Sequence, residues 1–120
     1  MYDVFYYKDK NGKCPIADYI NTLAAKKDKD SRIKLSKIYE YSSYLSQEGQ
    51  RAKEPYAKHL DGEIWELRPI RDRILYAARD SNSFILLHLF MKDTQKTPRR
   101  EIEQAKRNLA DYRERSKENE

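Results

Sequence analysis

One cysteine, three glycines, four prolines, two histidines and one tryptophan occur among 120 residues. The single Cys14 excludes an internal disulfide and a zinc site built on paired cysteines. So little glycine and proline excludes collagen-like and low-complexity classes. The longest apolar run, residues 84–91, is far too short to span a bilayer and is interrupted by His88. Met1-Tyr2-Asp3-Val4 shows no basic stretch leading into an apolar one, so no signal peptide is expected. A reducing, cytoplasmic setting fits these absences. There is also no glycine-rich phosphate loop, no His-x-x-x-His pair and no serine in an elbow motif. No metal or cofactor is expected.

What is present is charge. Charged residues make up 38% of the chain and apolar residues another 38%, with 25 Lys and Arg against 20 Asp and Glu, a net charge of +5. A chain of this length builds one domain around a single two-layer core. Residues 1–113 are expected to form that domain, with 114–120 as a charged tail that frays. The positive excess is compatible with a polyanionic partner without demanding one, so the placement of the charges matters more than their sum.

Residues 1–7 alternate polar with aromatic and β-branched groups, which predicts a strand. Asn11-Gly12 is a turn signal. Pro15 sits well at the first position of a helix, and Ile16, Tyr19, Ile20 and Leu23 then form one apolar stripe. After the charged break at residues 26–30, Asp30 or Ser31 is the expected cap of a second helix. Leu35, Ile38 and Leu45 supply its buried stripe, and Gly49 its stop. The pair makes an αα-hairpin. Glu54-Pro55 marks irregular chain. Three strand-like runs follow at residues 64–68, 73–78 and 84–91, with connections short enough for antiparallel hairpins. The third is apolar on both faces and is expected to be the most buried. Thr97-Pro98 predicts the cap and first position of a last helix, with Ile102, Ala105 and Leu109 as its stripe. The order β-α-α-β-β-β-α predicts an α+β fold, a mainly antiparallel sheet with helices packed on it.

The basic residues are the best-placed chemistry. Arg68 ends one expected strand and Arg73 opens its neighbour, so both guanidinium groups are expected on one sheet face. Lys92 and Lys96 lie between the last strand and the last helix. Arg99 and Arg100 fall in that helix's first turn, where cations oppose the helix dipole, an arrangement that suggests an anion site. Trp65, Tyr76 and Phe90 lie nearby, and arginines interleaved with aromatics suit single-stranded RNA. The plainer reading makes Trp65 and Phe90 core and the cations a solvated surface. His88, inside the apolar strand, reads more readily as a packed or supporting residue than as a catalytic one. His59 lies in a loop beside Lys58. Cys14, ahead of a helix start, reads as a small packed side chain.

Three blocks carry a resemblance. They are Lys58-His59-Leu60-Asp61-Gly62-Glu63-Ile64-Trp65-Glu66-Leu67-Arg68; Arg73-Ile74-Leu75-Tyr76; and the run Leu86-Leu87-His88-Leu89-Phe90-Met91-Lys92-Asp93-Thr94-Gln95-Lys96-Thr97-Pro98, followed by Glu101-Ile102 and Ala105. In order and spacing, over residues 58–112, they resemble the phage-derived, HigB-like branch of the RelE/HigB toxins of type II toxin–antitoxin systems. That resemblance implies a RelE-like microbial ribonuclease fold and a toxin that cleaves messenger RNA on the ribosome, an mRNA interferase inhibiting translation. It also implies neutralisation by a helix-turn-helix, HigA-like antitoxin. Arg73 matches the strand arginine used on the scissile phosphate, and Arg68 a second strand arginine. Lys92 and Lys96 lie in the loop that carries basic active-site residues. These four form the candidate catalytic set, and Lys58, Arg99, Arg100, Tyr76 and His88 the candidate RNA-contacting set. Asp93 stands where the family often has another basic residue, and no tyrosine occurs between Met91 and Tyr112, which leaves the general acid unassigned. Two other functions stay open: a gyrase-inhibiting toxin of the same fold, and a non-catalytic regulator acting with a DNA-binding partner.

Overall fold

The computed structural model describes residues 1–93 and 95–118. Thr94 of the third block and the last two residues of the expected tail lie outside them. Nine segments follow one another: β1 (Asp3–Tyr6), α1 (Pro15–Ala25), α2 (Lys29–Glu48), a short 3-10 turn (Gly49–Arg51), β2 (Ala57–Asp61), β3 (Ile64–Leu67), β4 (Asp72–Asp80), β5 (Ser83–Met91) and α3 (Arg99–Glu118). The sheet order is β1-β5-β4-β3-β2, antiparallel throughout except for the parallel pair β1–β5. This is the expected α+β architecture with one strand more than the sequence predicts.

The added strand is β2. Its residues Ala57 to Asp61 carry two charges and a histidine and form a sheet edge, so only one neighbour imposes a pattern on them. Lys58 pairs opposite Glu66 and His59 opposite Trp65.

Strand alternation divides the core in two. On one face, Leu67, Ile74, Tyr76, Phe84 and Leu86 pack against Ile16, Ile20 and Leu23 of α1 and Ile38 and Leu45 of α2. On the other, Ile64, Leu75, Ala77, Ile85 and Leu87 pack against Ala105 and Leu109 of α3. Both faces of β5 are covered, as its continuous apolar run predicts. Burying one such Leu or Ile side chain contributes about 1.5–3 kcal/mol.

Local signals set the helix ends. Pro15 opens α1. The cap of α2 is Asp28, not Asp30 or Ser31: its carboxylate accepts from the Ser31 backbone N–H at 3.0 Å and from the Ser31 hydroxyl at 2.9 Å. Gly49 ends α2 at φ 57°, and a Cβ there would lie 2.2 Å from the Tyr2 ring, so glycine serves both backbone and packing. α3 begins at Arg99, with the Pro98 carbonyl accepting from the Glu101 and Ile102 N–H groups, so Pro98 takes the place expected for Thr97, whose hydroxyl donates to Glu66. α3 continues through the charged end as far as Glu118. Arg113 pairs with Glu63, and Arg115 bonds Asp111 and the Lys8 carbonyl while lying over the Tyr7 ring. No helix among the described residues is long and apolar enough to cross a membrane.

Candidate active site

The candidate site lies where β3, β4 and β5 run past the start of α3. In β3 the two-residue period puts Ile64, Glu66 and Arg68 on the face that α3 covers. In β4 Arg73 is two residues before Leu75, which packs on that same face. Arg68 and Arg73 do share a face, and what joins them is Glu66. Its Oε1 is 3.7 Å from Arg68 Nε and 3.9 Å from Arg73 Nε. Glu66 is 1% exposed, and its other carboxylate oxygen accepts from the Thr97 hydroxyl.

Arg73 is held firmly. It is 8% exposed, and its Nη1 donates to the Ile70 carbonyl at 2.7 Å and to its neighbour's carbonyl, Asp72, at 2.8 Å. Its Nε is buried with no hydrogen-bond partner among the described residues. Burial pushes the Arg73 pKa down, Arg68 adds to that, and Glu66 and Asp72 oppose it. Ile70 adopts φ 55°, a left-handed conformation costly for a β-branched residue. Asp72 faces the opposite side, where it accepts from the Tyr19 hydroxyl at 3.0 Å and lies 3.9 Å from Lys34 Nζ. The start of β4 is thus pinned to α1 and α2.

The Lys92 backbone N–H donates to the Arg71 carbonyl at 2.8 Å, which sets Lys92 beside the β3–β4 turn. Two hollows meet there. One is lined by Arg68, Ile70, Arg71, Arg73, Lys92, Asp93 and Gln95. The other is lined by Lys58, His59, Leu60, Glu66, Arg68, Lys92, Gln95, Lys96, Thr97 and Ile102. Arg68, Lys92 and Gln95 belong to both. Burial lowers the Lys92 pKa, the charges of Arg73, Arg68 and Lys58 lower it further, and Glu66 raises it. Lys96 is exposed on the second wall. All four candidate catalytic residues and Lys58 therefore gather at one place.

The other candidate RNA contacts do not. Tyr76 is 2% exposed in the core beneath α1 and α2, edge-on to Phe84, and burial raises its pKa. It sits on the wrong face of the sheet. His88 Nε2 is 2.9 Å from Glu101 Oε1, and its ring stacks on Phe90. A bulge in the β4–β5 pairing turns both Leu87 and His88 toward α3. Arg99 is engaged by Asp61 at 2.7 Å and Glu103 at 2.8 Å, so its charge is largely matched. Arg100 is exposed in the same turn. The His59 ring packs tilted against Trp65 and reaches the Gly62 carbonyl. Cys14 is buried, as expected of a small packed side chain.

Sequence reasoning misses Glu66 and Asp72. Glu66 has a signal: an acid at an inward position two residues from a basic one. Asp72 has none, because its partners lie in the first two helices.

Residues 21–110 match the family described as phage-derived protein Gp49-like (DUF891), three quarters of the chain. The chain belongs to that Gp49-like family. The family is associated with toxins of the RelE/HigB type. Its match begins inside α1 and ends inside α3, so it takes in Glu66, Arg68, Arg73, Lys92 and Lys96 of this Gp49-like chain together. No curated protein matches the chain closely enough to count as a relative.

Proposed function

We propose that this Gp49-like protein is the toxin of a type II toxin–antitoxin pair and that it cuts messenger RNA on the ribosome. The observation that carries the reading is Arg73: a buried guanidinium, locked by two carbonyls, beside Arg68 and Lys92 on an open hollow. A fixed fork of N–H donors suits phosphate oxygens, and a fixed cation favours charge that grows in the transition state.

In the proposed reaction the 2′-oxygen bonds to phosphorus, the bond from phosphorus to the 5′-oxygen breaks, and a 2′,3′-cyclic phosphate is left. Arg73 and Arg68 hold the phosphate. Arginine does not serve as base, because it stays protonated. Lys92, whose neutral form is favoured by its surroundings, takes the 2′ proton. Lys96, on the adjoining wall, gives a proton to the leaving 5′-oxygen. The ribosome supplies substrate placement, which is worth up to about 7–11 kcal/mol of barrier. A helix-turn-helix antitoxin that covers this basic hollow neutralises the toxin.

The test is to express the chain alone and map new 5′ ends on messenger RNA. Growth arrest with cuts at ribosome-bound positions, absent from naked RNA at equal toxin, is the expected result. Arrest with intact messenger and inhibited gyrase would overturn the reading, as would no arrest at all.

A further inference from the structure

Glu66 stands out from the rest of the molecule. It is a carboxylate, 1% exposed, at the centre of a site whose reaction needs cations. Its partners come from three places in the chain: Arg68 just after β3, Arg73 on β4, and Thr97 just before α3. Its neighbour across the β2–β3 pair is Lys58.

Two guanidinium groups on one sheet face repel each other. The ion pairs at 3.7 Å and 3.9 Å to a single carboxylate oxygen offset that repulsion in part. Both pairs run through Nε, the inner end of each fork, which directs the outer nitrogens away from Glu66. Arg68 has another acid within reach, the exposed Glu54 at 3.9 Å, so without Glu66 it has somewhere else to go. The Thr97 bond adds a second function. It ties residues 92–97, which carry Lys92 and Lys96, to the same carboxylate.

We propose that Glu66 is the positioning residue of this site: it spaces Arg68 and Arg73 around one phosphate and, through Thr97, fastens the lysine-bearing segment to them. The proposal rests on the nuclease reading above for its consequence in catalysis, but not for its geometry. Glu66 does not touch substrate. It lowers the net charge of the hollow while it orders the groups there, so it works against affinity and for rate.

That opposition gives the experiment. Glu66→Gln keeps shape and removes the charge. Thr97→Val keeps volume and removes the hydroxyl. Three measurements are made on the full chain: binding to ribosomes carrying messenger with a 2′-deoxy substitution at the cut site; single-turnover cleavage at saturating toxin; and the side-chain N–H spectrum of Arg68 and Arg73. In Glu66→Gln, binding is expected to be equal or tighter, cleavage about 10²-fold slower, and the Arg68 Nε–H signal faster in solvent exchange and broadened. Thr97→Val is expected to slow cleavage by a smaller factor and leave Arg68 unchanged. If Glu66→Gln leaves the arginine signals and the rate as they are, the proposal falls. A parallel loss of binding and rate in a folded Thr97→Val also overturns it, since a merely structural role predicts that. If wild type cuts nothing, the nuclease reading falls, and the arginine spectrum alone decides whether Glu66 orders the site.

Discussion

Arg73 Nη1 donates to the carbonyl of Ile70 at 2.7 Å, and Ile70 is the only described non-glycine residue at positive φ. The turn between β3 and β4 therefore holds the central arginine by placing a β-branched side chain where such side chains rarely go. Strain of this kind persists where the surroundings over-determine the backbone.

Ile70→Asn should relieve that strain, since asparagine tolerates the left-handed region and Ile70 is about half exposed. Stability should rise by about 1 kcal/mol, or roughly 3–5 °C in melting temperature. Thermal denaturation checks this. A lower melting temperature would mean that the Ile70 side chain contributes more by contact than its backbone costs.

Arg73→Ala should abolish growth arrest and slow cleavage on programmed ribosomes by about 10²–10³-fold. Arg73→Lys should recover little, because a lysine lacks the fork that reaches two carbonyls and a phosphate together. Circular dichroism separates loss of function from loss of fold. Full toxicity in folded Arg73→Ala would remove this residue from the site.

The proposed base role of Lys92 fixes the sign of a pH dependence. The neutral amine is the active form. Burial and the charges of Arg73, Arg68 and Lys58 lower its pKa against the pull of Glu66. Single-turnover rates should fall about tenfold per pH unit as the pH drops below that lowered pKa. Lys92→Arg, charged throughout the range, should lack both the rate and the limb. A wild-type profile without that acidic limb would remove Lys92 as the base.

Tyr76 separates packing from RNA contact. Tyr76→Phe keeps the ring against Phe84 and should leave cleavage unchanged. Tyr76→Ala should cost about 3–5 kcal/mol of stability, read by denaturant unfolding. A cleavage defect in a stable Tyr76→Phe would restore the residue to the site.

Asp61 couples the attachment of α3 to pH. Hydrogen bonds from Lys106 and Arg99, both on α3, hold its carboxyl below the usual aspartate value. A depressed carboxyl stabilises the fold above its unfolded pKa, and that contribution is lost as pH falls through the folded value. Asp61→Asn should therefore melt below wild type at pH 7, with the gap closing as pH drops under about 4. A gap that persists in acid would mean the two ion pairs are not its source.

The elements that speak in the sequence are those whose pattern is set by burial: the stripe of α1, the two-sided run of β5, the apolar runs of β3 and β4. What stays hidden depends on partners far along the chain. β2 is an edge with one neighbour. The α2 cap is hard to see because Asp28 sits inside a charged run that looks like a break. The cluster of cations is legible because strand period and turn length bring Arg68 and Arg73 together. The carboxylate between them, and the threonine behind it, require the third dimension. Tyr76 lands on the face away from the site, and an aromatic in a strand does not announce which face it takes.

The parallel pairing of β1 with β5 sets Asp3 opposite Ser83. During synthesis the first strand leaves the ribosome with no partner and stays so until most of the chain has followed. Contacts of such sequence separation slow folding, because the intervening loop must close before they form. The proposed toxicity thus waits for β5: a product cut short before it has neither a place for its first strand nor the lysines that follow Met91. The proposed antitoxin, made in the same burst, would gain that interval in which to meet its target before the target can act.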